Sequence, residues 1–320
     1  MSDDYDVLVI GAGTGGYSCA LRLAQLGKRV GLIDRDERVG GTCLLRGCIP
    51  TKALLRSAEV MDTVHRSREW GVKAAGEPDW AAIHGFKDRV VDKLVTGLAG
   101  LLKARGVEVI RGNARLLPGP EVDVEGRRLR ATDVVLATGS RPKMLPGLER
   151  SERIITSDEA LRIPAPPSAV VIGAGAIGLE FASLWRSFGS EVTVLEMLPA
   201  LAPLEDADVS KELARAFRRR GITGVPGAAV RTVKDTGSSV DVTYEARGET
   251  TTVSAQVCLV AVGRGPVTEE LGLEAAGVEL DRGFVKVDGQ LRTTAPHVWA
   301  VGDVASTPLQ LGRASCRERV

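Results

Sequence analysis

The sequence has few of the features that mark membrane, secreted or metal-binding proteins. None of its apolar runs approaches the roughly 20 residues that span a bilayer. Its five cysteines lack the regular spacing of an extracellular disulfide framework. Only three histidines occur in the chain, and none shares metal-ligand spacing with a cysteine pair. The acidic start, Met1-Ser2-Asp3-Asp4, is unlike a targeting signal. These absences predict a cytoplasmic protein without a bound metal or a membrane partner.

The net charge and the chain length further restrict the possible partners and the number of domains. The formal net charge is +1, so nothing favours nucleic acid or an anionic surface as a partner. A chain of 320 residues with 44% hydrophobic and 26% charged residues is long enough to form two globular domains.

What the sequence does contain, near its start, is a glycine motif in a strand–helix–strand context. A β-branched strand at 6–10 runs into Gly11-Ala-Gly-Thr-Gly-Gly16, a helix follows, and a second strand ends at Asp34. Glycines at these positions let the backbone approach a pyrophosphate at a helix N-terminus, and the terminal acid can accept a hydrogen bond from a ribose hydroxyl. The pattern therefore predicts a dinucleotide-binding unit.

The same pattern recurs in the second half of the chain. A strand at 169–172 precedes Gly173-Ala-Gly-Ala-Ile-Gly178, and the next strand ends at Glu196. The first glycine precedes the terminal acid by the same number of positions in both copies. Two copies matched in spacing and context indicate an internal duplication. Between them, the proline-rich segment 146–167 is interpreted as a linker, and hairpin turns are predicted at 125–126 and 247–248.

Two cysteines follow the first unit closely. Cys43 and Cys48 are separated by four residues and precede a helix predicted over 51–64. A disulfide that closes so short a loop contributes only about 2 kcal/mol through chain entropy. A dithiol–disulfide pair also carries two electrons, so we interpret these cysteines as redox-active. Cys19 and Cys258 are expected to be inert core residues.

Together these elements resemble the flavin-dependent pyridine nucleotide-disulfide oxidoreductases, and within that family the dihydrolipoamide dehydrogenases are the most similar. The resemblance rests on five motifs, namely 11–16, Gly41-Thr-Cys-Leu-Leu-Arg-Gly-Cys-Ile-Pro-Thr-Lys52, Ala137-Thr-Gly-Ser140, Gly173-Ala-Gly-Ala-Ile-Gly-Leu-Glu180 and Ala300-Val-Gly-Asp303. It implies an α/β fold with two Rossmann-like domains, in which an NAD domain is inserted in the FAD domain.

The implied domain boundaries follow the motifs. We expect an FAD-binding domain with the redox disulfide over 1–147, an NAD-binding domain over 148–270, and a segment at 271–311 that returns to the FAD domain. The last residues, 312–320, have neither an apolar period nor a cap, and we expect them to be a non-native tail.

The resemblance also implies roles for individual residues. Cys43 would exchange with the substrate, Cys48 would face the flavin, and Lys52 and Glu180 would form an ion pair beside it. FAD would contact Gly11, Gly13, Gly16, Asp34, Gly41, Thr42, Lys52, Ala114, Thr138, Gly139 and Asp303. NAD would contact Gly173, Gly175, Gly178, Glu180, Glu196, Val230 and Gly263. Because Glu196 precedes Met-Leu-Pro, with no arginine for a 2′-phosphate, NAD is favoured over NADP.

The implied activity is oxidation of protein-bound dihydrolipoamide by NAD⁺. The implied partners are the lipoyl domains of 2-oxo acid dehydrogenase or glycine-cleavage complexes, and a second copy of the full-length chain. Family members continue beyond the position of Asp303 with an interface domain that carries a His–Glu base, so we expect impaired turnover from this chain. Alternatives are another flavin disulfide reductase, acting on mycothiol disulfide, mercuric ion or a quinone, and a non-catalytic nucleotide-binding fragment.

Overall fold

The computed structural model of the protein describes residues 4–305, so the tail expected at 312–320 lies outside the described residues. Within this range the α-helices are α1 (Thr14–Gln25), α2 (Gly41–Arg46), α3 (Cys48–Arg66), α4 (Trp80–Ala104), α5 (Ser157–Ala160), α6 (Ala176–Ser187) and α7 (Ala207–Arg219). Short 3₁₀ turns cover Ser67–Trp70 and Gly302–Val304.

The β-strands of the same range are mostly short, and only β8 and β15 have every residue buried. They are β1 (Asp4–Ile10), β2 (Val30–Asp34), β3 (Glu108–Arg111), β4 (Ala114–Leu117), β5 (Glu121–Val124), β6 (Arg127–Leu136), β7 (Ser140–Pro142), β8 (Ile154–Ile155), β9 (Ser168–Ile172), β10 (Glu191–Glu196), β11 (Ile222–Pro226), β12 (Ala229–Asp235), β13 (Val240–Ala246), β14 (Glu249–Ala255), β15 (Val257–Val260), β16 (Arg264–Pro266), β17 (Leu280–Asp281), β18 (Phe284–Val285) and β19 (Val298–Ala300).

The described residues form two compact units, each assembled from separate stretches of chain. The first unit comprises residues 4–48, 91–141 and 265–305, and the second comprises 49–90 and 142–264. Most of α3 and the beginning of α4 therefore belong to the second unit.

The first unit is built on a seven-stranded sheet in the order β3-β2-β1-β6-β5-β4, with β19 also paired to β6. β1, β2, β3, β6 and β19 run parallel to their neighbours in this group, whereas β4 and β5 extend the sheet through antiparallel pairs. Ile10 lies opposite both Ile33 and Leu136, and Leu136 lies opposite Ala300. This register brings the motifs that follow β1, β2, β6 and β19 to one edge of the sheet.

The second unit repeats this arrangement with a five-stranded parallel sheet, β11-β10-β9-β15-β8. Ile172 lies opposite Leu195 and Val260, so the second glycine motif and Glu196 also follow neighbouring strand ends. Phe181 and Trp185 of α6 are each 1% exposed and belong to the core that covers this sheet. The predicted α/β class with two Rossmann-like units is confirmed.

The structure contains both predicted hairpin turns but differs from the prediction in the segment interpreted as a linker. Both predicted turns are present, with Glu125 and Arg247 each at φ 54° and glycines next. The proline-rich segment 146–167, however, is folded and not merely a connection. It contributes β8 to the parallel sheet and α5, which begins with a capping box between Thr156 and Glu159. The linker interpretation missed these elements because β8 has only two residues, too few to show a pattern, and its partner β15 is distant in sequence.

Candidate functional site

The first glycine of each motif sits where no other residue fits. Gly11 has φ 107° and Gly173 has φ 104°. A Cβ on Gly11 would lie 2.3 Å from the carbonyl oxygen of Ala137, and one on Gly173 would lie 2.5 Å from that of Ala261. Both the left-handed backbone and the neighbouring carbonyl exclude a side chain.

The last glycine of each motif lets its helix pack closely on the turn. A Cβ on Gly16 would lie 1.7 Å from the carbonyl oxygen of Gly11, and one on Gly178 would lie 2.0 Å from that of Gly173. These distances are too short for any Cβ contact. The last glycines therefore serve the protein's own packing.

The middle glycine of each motif has open space in front of it. A Cβ on Gly175 would meet nothing within 4 Å, and one on Gly13 would meet only the Cα of Gly41, at 3.9 Å. The helices that start here, α1 and α6, have no side-chain cap and no acidic residue in the first turn. Free N–H groups beside an open backbone surface fit a pyrophosphate, so both loops fit the diphosphate of a dinucleotide.

The acid at the end of β2 is tied to the first glycine loop. Asp34 accepts hydrogen bonds from the backbone N–H of Ala12 and, at 2.8 Å, from that of Asp36. Burial raises the pKa of the Asp34 carboxyl, against the effect of these two backbone donors. Each carboxylate oxygen has a further lone pair, so Asp34 retains the capacity to accept from a ribose hydroxyl.

The acid of the second copy makes the same two contacts. Glu196 accepts from the backbone N–H of Ala174 at 2.7 Å and from that of Leu198 at 2.9 Å. The side chains that follow Glu196 are apolar and exposed, Met197 at 73% and Leu198 at 43%. No cation follows the acid directly, which fits a ribose that carries no 2′-phosphate.

The two redox-candidate cysteines lie on successive helices. Cys43 is on α2, Cys48 is the first residue of α3, and Gly47 between them would place a Cβ 2.9 Å from the carbonyl oxygen of Thr42. The helix predicted from Thr51 thus already begins at Cys48. Pro50 permits this because the N–H groups of a first helical turn need no intrahelical acceptor.

The two thiols interact directly. A side-chain hydrogen bond with Cys48 and burial together raise the pKa of Cys43 far above its ordinary value. Cys43 is half-buried and Cys48 is exposed. In the reduced pair, the raised pKa of Cys43 favours retention of the proton on its sulfur.

Lys52 and Glu180 are brought together from helices that are distant in sequence. Lys52 Nζ on α3 forms an ion pair with Glu180 Oε1 on α6, with the two side chains 59% and 33% exposed. At the other end of the same helices, Ser187 Oγ donates to Asp62 at 2.9 Å, and Arg220 contacts Asp62 at 3.0 Å. Within the second unit, polar contacts near both ends of the two helices thus hold α3 against α6.

The strand-end motifs of the first unit are joined by hydrogen bonds. Thr138 Oγ1 donates to the carbonyl oxygen of Val267 at 2.6 Å, and the N–H of Val267 donates to the carbonyl oxygen of Gly139 at 2.9 Å. Ser140 Oγ donates to Asp303 Oδ2 at 2.6 Å. Ser140 was not among the predicted site residues, although its position directly after Gly139 could have suggested a role.

The remaining predicted contacts are mainly backbone positions. Ala114 begins β4 and Thr42 lies on α2. Val230 lies in β12, next to a shift in its register with β13. Gly263 follows β15 with φ 120°, and its carbonyl accepts from the N–H of Lys143 at 3.0 Å. Among the described residues, no recorded hydrogen bond joins Ala114 or Val230 to a glycine loop. Their contacts with a cofactor therefore remain predictions.

Within residues 4–305, no helix combines the length and apolar character needed to cross a membrane. In the same residues, no group of three or more His, Cys, Asp and Glu side chains has an arrangement that could hold a metal ion.

Comparison with known proteins identifies relatives along the whole chain. The chain is 39% identical to the dihydrolipoyl dehydrogenase of Bacillus subtilis, covering 100% of this chain and 71% of the relative. It is 41% identical to that of Thermus scotoductus, with coverages of 97% and 68%. For the Acholeplasma laidlawii enzyme the identity is 40%, with coverages of 95% and 91%.

Solved structures and a family model agree with these relatives. The Cu(II) complex of the HOCl-induced flavoprotein disulfide reductase RclA from Escherichia coli superposes with a TM-score of 0.87 and 29% identity, covering 100% of this chain and 70% of that one. The family model described as pyridine nucleotide-disulphide oxidoreductase matches residues 5–317. The chain therefore belongs to the pyridine nucleotide-disulphide oxidoreductase family.

Proposed function

We propose that the chain is the electron-transfer part of a dihydrolipoyl dehydrogenase, in which two electrons pass from a dihydrolipoyl group through the Cys43–Cys48 pair and FAD to NAD⁺. The observation that supports this most directly is the contact between the two thiols, in a chain about 40% identical to dihydrolipoyl dehydrogenases. A dithiol oxidant of this kind needs a pair of sulfurs that can bond to each other.

The two glycine loops suit two different dinucleotides. We assign FAD to the loop around Gly13, because that loop packs at Gly41 against the cysteine segment, residues 40–52 with Cys43 and Cys48. We assign NAD to the loop around Gly175. Bound FAD would supply the two-electron chemistry that links the reduced cysteine pair to hydride transfer to NAD⁺. Asp34 and Glu196 would orient the two adenosine riboses, and Ser140 would fix Asp303 for the ribityl–diphosphate end of FAD.

The sulfur chemistry can be written with all electrons accounted for. A substrate thiolate attacks Cys43 Sγ, the Cys43–Cys48 bond breaks, and Cys48 leaves as a thiolate. The second substrate sulfur then displaces Cys43 and closes the lipoyl disulfide, so the substrate's two electrons remain on the cysteine pair. Because the pKa of Cys43 is raised, Cys43 keeps a proton and Cys48 remains the electron donor.

The second proton released by the substrate needs an acceptor. The family resemblance assigns this role to a His–Glu pair in the interface domain, and the chain spans about 70% of most of the relatives it matches. We propose that lipoyl domains and a second copy of the protein are the partners.

Spectra of the FAD-loaded chain test the proposal. NADH added without oxygen is expected to bleach the flavin band and produce a long-wavelength shoulder, which reports a Cys48 thiolate beside the flavin. Cys48→Ser should lose the shoulder, and Cys43→Ser should retain it in the oxidised protein. Cys258→Ser, at a fully buried position, serves as a control that should leave the spectrum unchanged.

Three results would contradict the proposal. They are failure to bind FAD, a shoulder that persists in Cys48→Ser, and reduction of mycothiol disulfide, mercuric ion or quinone in preference to lipoamide. The last result would support a different branch of the same family.

A further inference from the structure

The first glycine loop and the cysteine segment interlock through their backbones. The N–H of Gly40 donates to the carbonyl oxygen of Ala12 at 2.8 Å. Gly41 has φ 59°, and a Cβ there would lie 2.4 Å from the Cα of Gly13. No side chain separates the two segments at this point, so residues directly after them can touch.

Thr14 and Cys43 are those residues. Thr14 is the first residue of α1, Cys43 is the third residue of α2, and both side chains are half-buried. The Thr14 hydroxyl forms a side-chain hydrogen bond with the sulfur of Cys43, and this contact acts to lower the pKa of Cys43, against the effects of Cys48 and burial. A hydroxyl that favours the charged form of sulfur is donating its hydrogen.

The second copy shows that the glycine loop does not need this hydroxyl. Ala176 holds the position equivalent to Thr14. Gly13 and Gly175, which precede them, have φ −73° and φ −75°, and the first glycines of the two loops also match in φ. A hydroxyl is therefore dispensable for the fold of this turn, and it occurs in the copy that adjoins a cysteine.

We propose that Thr14 tunes the exchanging thiol, donating a hydrogen bond to Cys43 Sγ and stabilising the thiolate that forms when the bond between Cys43 and the substrate sulfur breaks. In that step the bonding electron pair goes to Cys43 Sγ, and no external oxidant or reductant is required. The inference rests on the proposed function for the role of Cys43, but the contact itself can be tested without any turnover.

The test measures the acidity of Cys43 in the full chain loaded with FAD. In a Cys48→Ser background, which prevents disulfide formation and removes the thiol that most raises the pKa of Cys43, the rate of Cys43 alkylation by iodoacetamide is followed by peptide mass spectrometry between pH 6 and pH 10.5. Thr14→Ala removes the hydroxyl and introduces the residue that the second copy already tolerates. Thr14→Ser retains the hydroxyl and is the matched control.

Loss of one hydrogen bond to a charged sulfur corresponds to roughly a tenfold loss of acidity, so Thr14→Ala should raise the midpoint of the pH profile by about one unit. Below the midpoint the rate should fall only about threefold, because a more basic thiolate is a better nucleophile. Thr14→Ser should stay near the parent. An unchanged midpoint in Thr14→Ala, or an equal shift in Thr14→Ser, would overturn the inference. Neither result depends on whether lipoamide is the substrate.

Discussion

Replacing the middle glycine of the second motif, Gly175, with alanine should weaken NADH binding without lowering the stability of the protein. Gly175 has φ −75°, a conformation that alanine adopts freely, and its added Cβ would meet nothing within 4 Å. Gly175→Ala should therefore leave the free energy of unfolding unchanged or raise it by about 0.4–1 kcal/mol, since alanine restricts the unfolded chain.

The same substitution, Gly175→Ala, should weaken the binding of NADH. The new methyl group would occupy the surface through which a pyrophosphate reaches the N–H groups of α6. Losing one hydrogen bond to a charged group costs about 1.5–3 kcal/mol, which corresponds to a dissociation constant roughly 10- to 150-fold higher.

Gly178→Ala is the matched comparison in the same motif. Its Cβ would lie 2.0 Å from the backbone oxygen of Gly173, so the turn or the helix must move. Overpacking of this kind costs about 1–3 kcal/mol or more, and each kcal/mol lowers the Tm of a unit this size by about 2–4 °C. Gly178→Ala should lose stability and NADH affinity together.

Both variants can be followed by thermal unfolding and by quenching of NADH fluorescence on titration with protein. The reasoning is refuted if Gly175→Ala binds NADH as tightly as the parent, because the open side of the loop would then not be where the diphosphate lies. A large drop in Tm for Gly175→Ala would equally show that its surroundings are not open.

Three further predictions concern single side chains. Glu180→Gln should change the Tm little, because the exposed pair with Lys52 is worth less than about 1 kcal/mol; stopped-flow measurement should nevertheless show slower flavin bleaching by NADH, and an unchanged rate would argue against a role beside the flavin. Cys258 is fully buried and burial raises its pKa to about 12, so iodoacetamide at pH 8 should label the exposed Cys48 in the reduced native protein several times faster than Cys258, a ranking that peptide mapping checks and that unfolding should abolish. Ser140→Ala removes the donor to Asp303 Oδ2 and should weaken FAD retention by about fivefold to tenfold, in line with a net hydrogen bond of about 1–1.5 kcal/mol; equal flavin content after dialysis would show that Asp303 does not depend on this bond.

The glycine loops could be predicted from the sequence because their chemistry is local. Gly11 and Gly16 are constrained by a turn of a few residues, and Asp34 ends the next strand, so spacing alone places them together. The contact between Ser140 and Asp303 joins residues 163 positions apart. No periodicity or turn signal encodes such a distance, and only the parallel pairing of β19 with β6 creates it.

The cysteine segment could be predicted from the sequence only in part. Its two thiols were identified from spacing, but α2 and the start of α3 at Cys48 were not. Six residues flanked by glycines carry too little pattern to indicate a helix, and the contact of Cys43 with Thr14 depends on how tightly Gly41 packs on Gly13. Backbone packing without side chains leaves no hydrophobic signal in the sequence.

The division of the first unit among three stretches of chain also sets an order of events during synthesis. β6 leaves the ribosome long before β19, its parallel neighbour, and the intervening chain includes residues 142–264 of the second unit. At about 5–20 residues per second, the 163 positions from Ser140 to Asp303 take about 8–30 s to translate. During that interval the second unit can fold completely, while one edge of β6 in the first unit still lacks its partner strand. The first unit is thus the part of the chain that stays incomplete longest during synthesis.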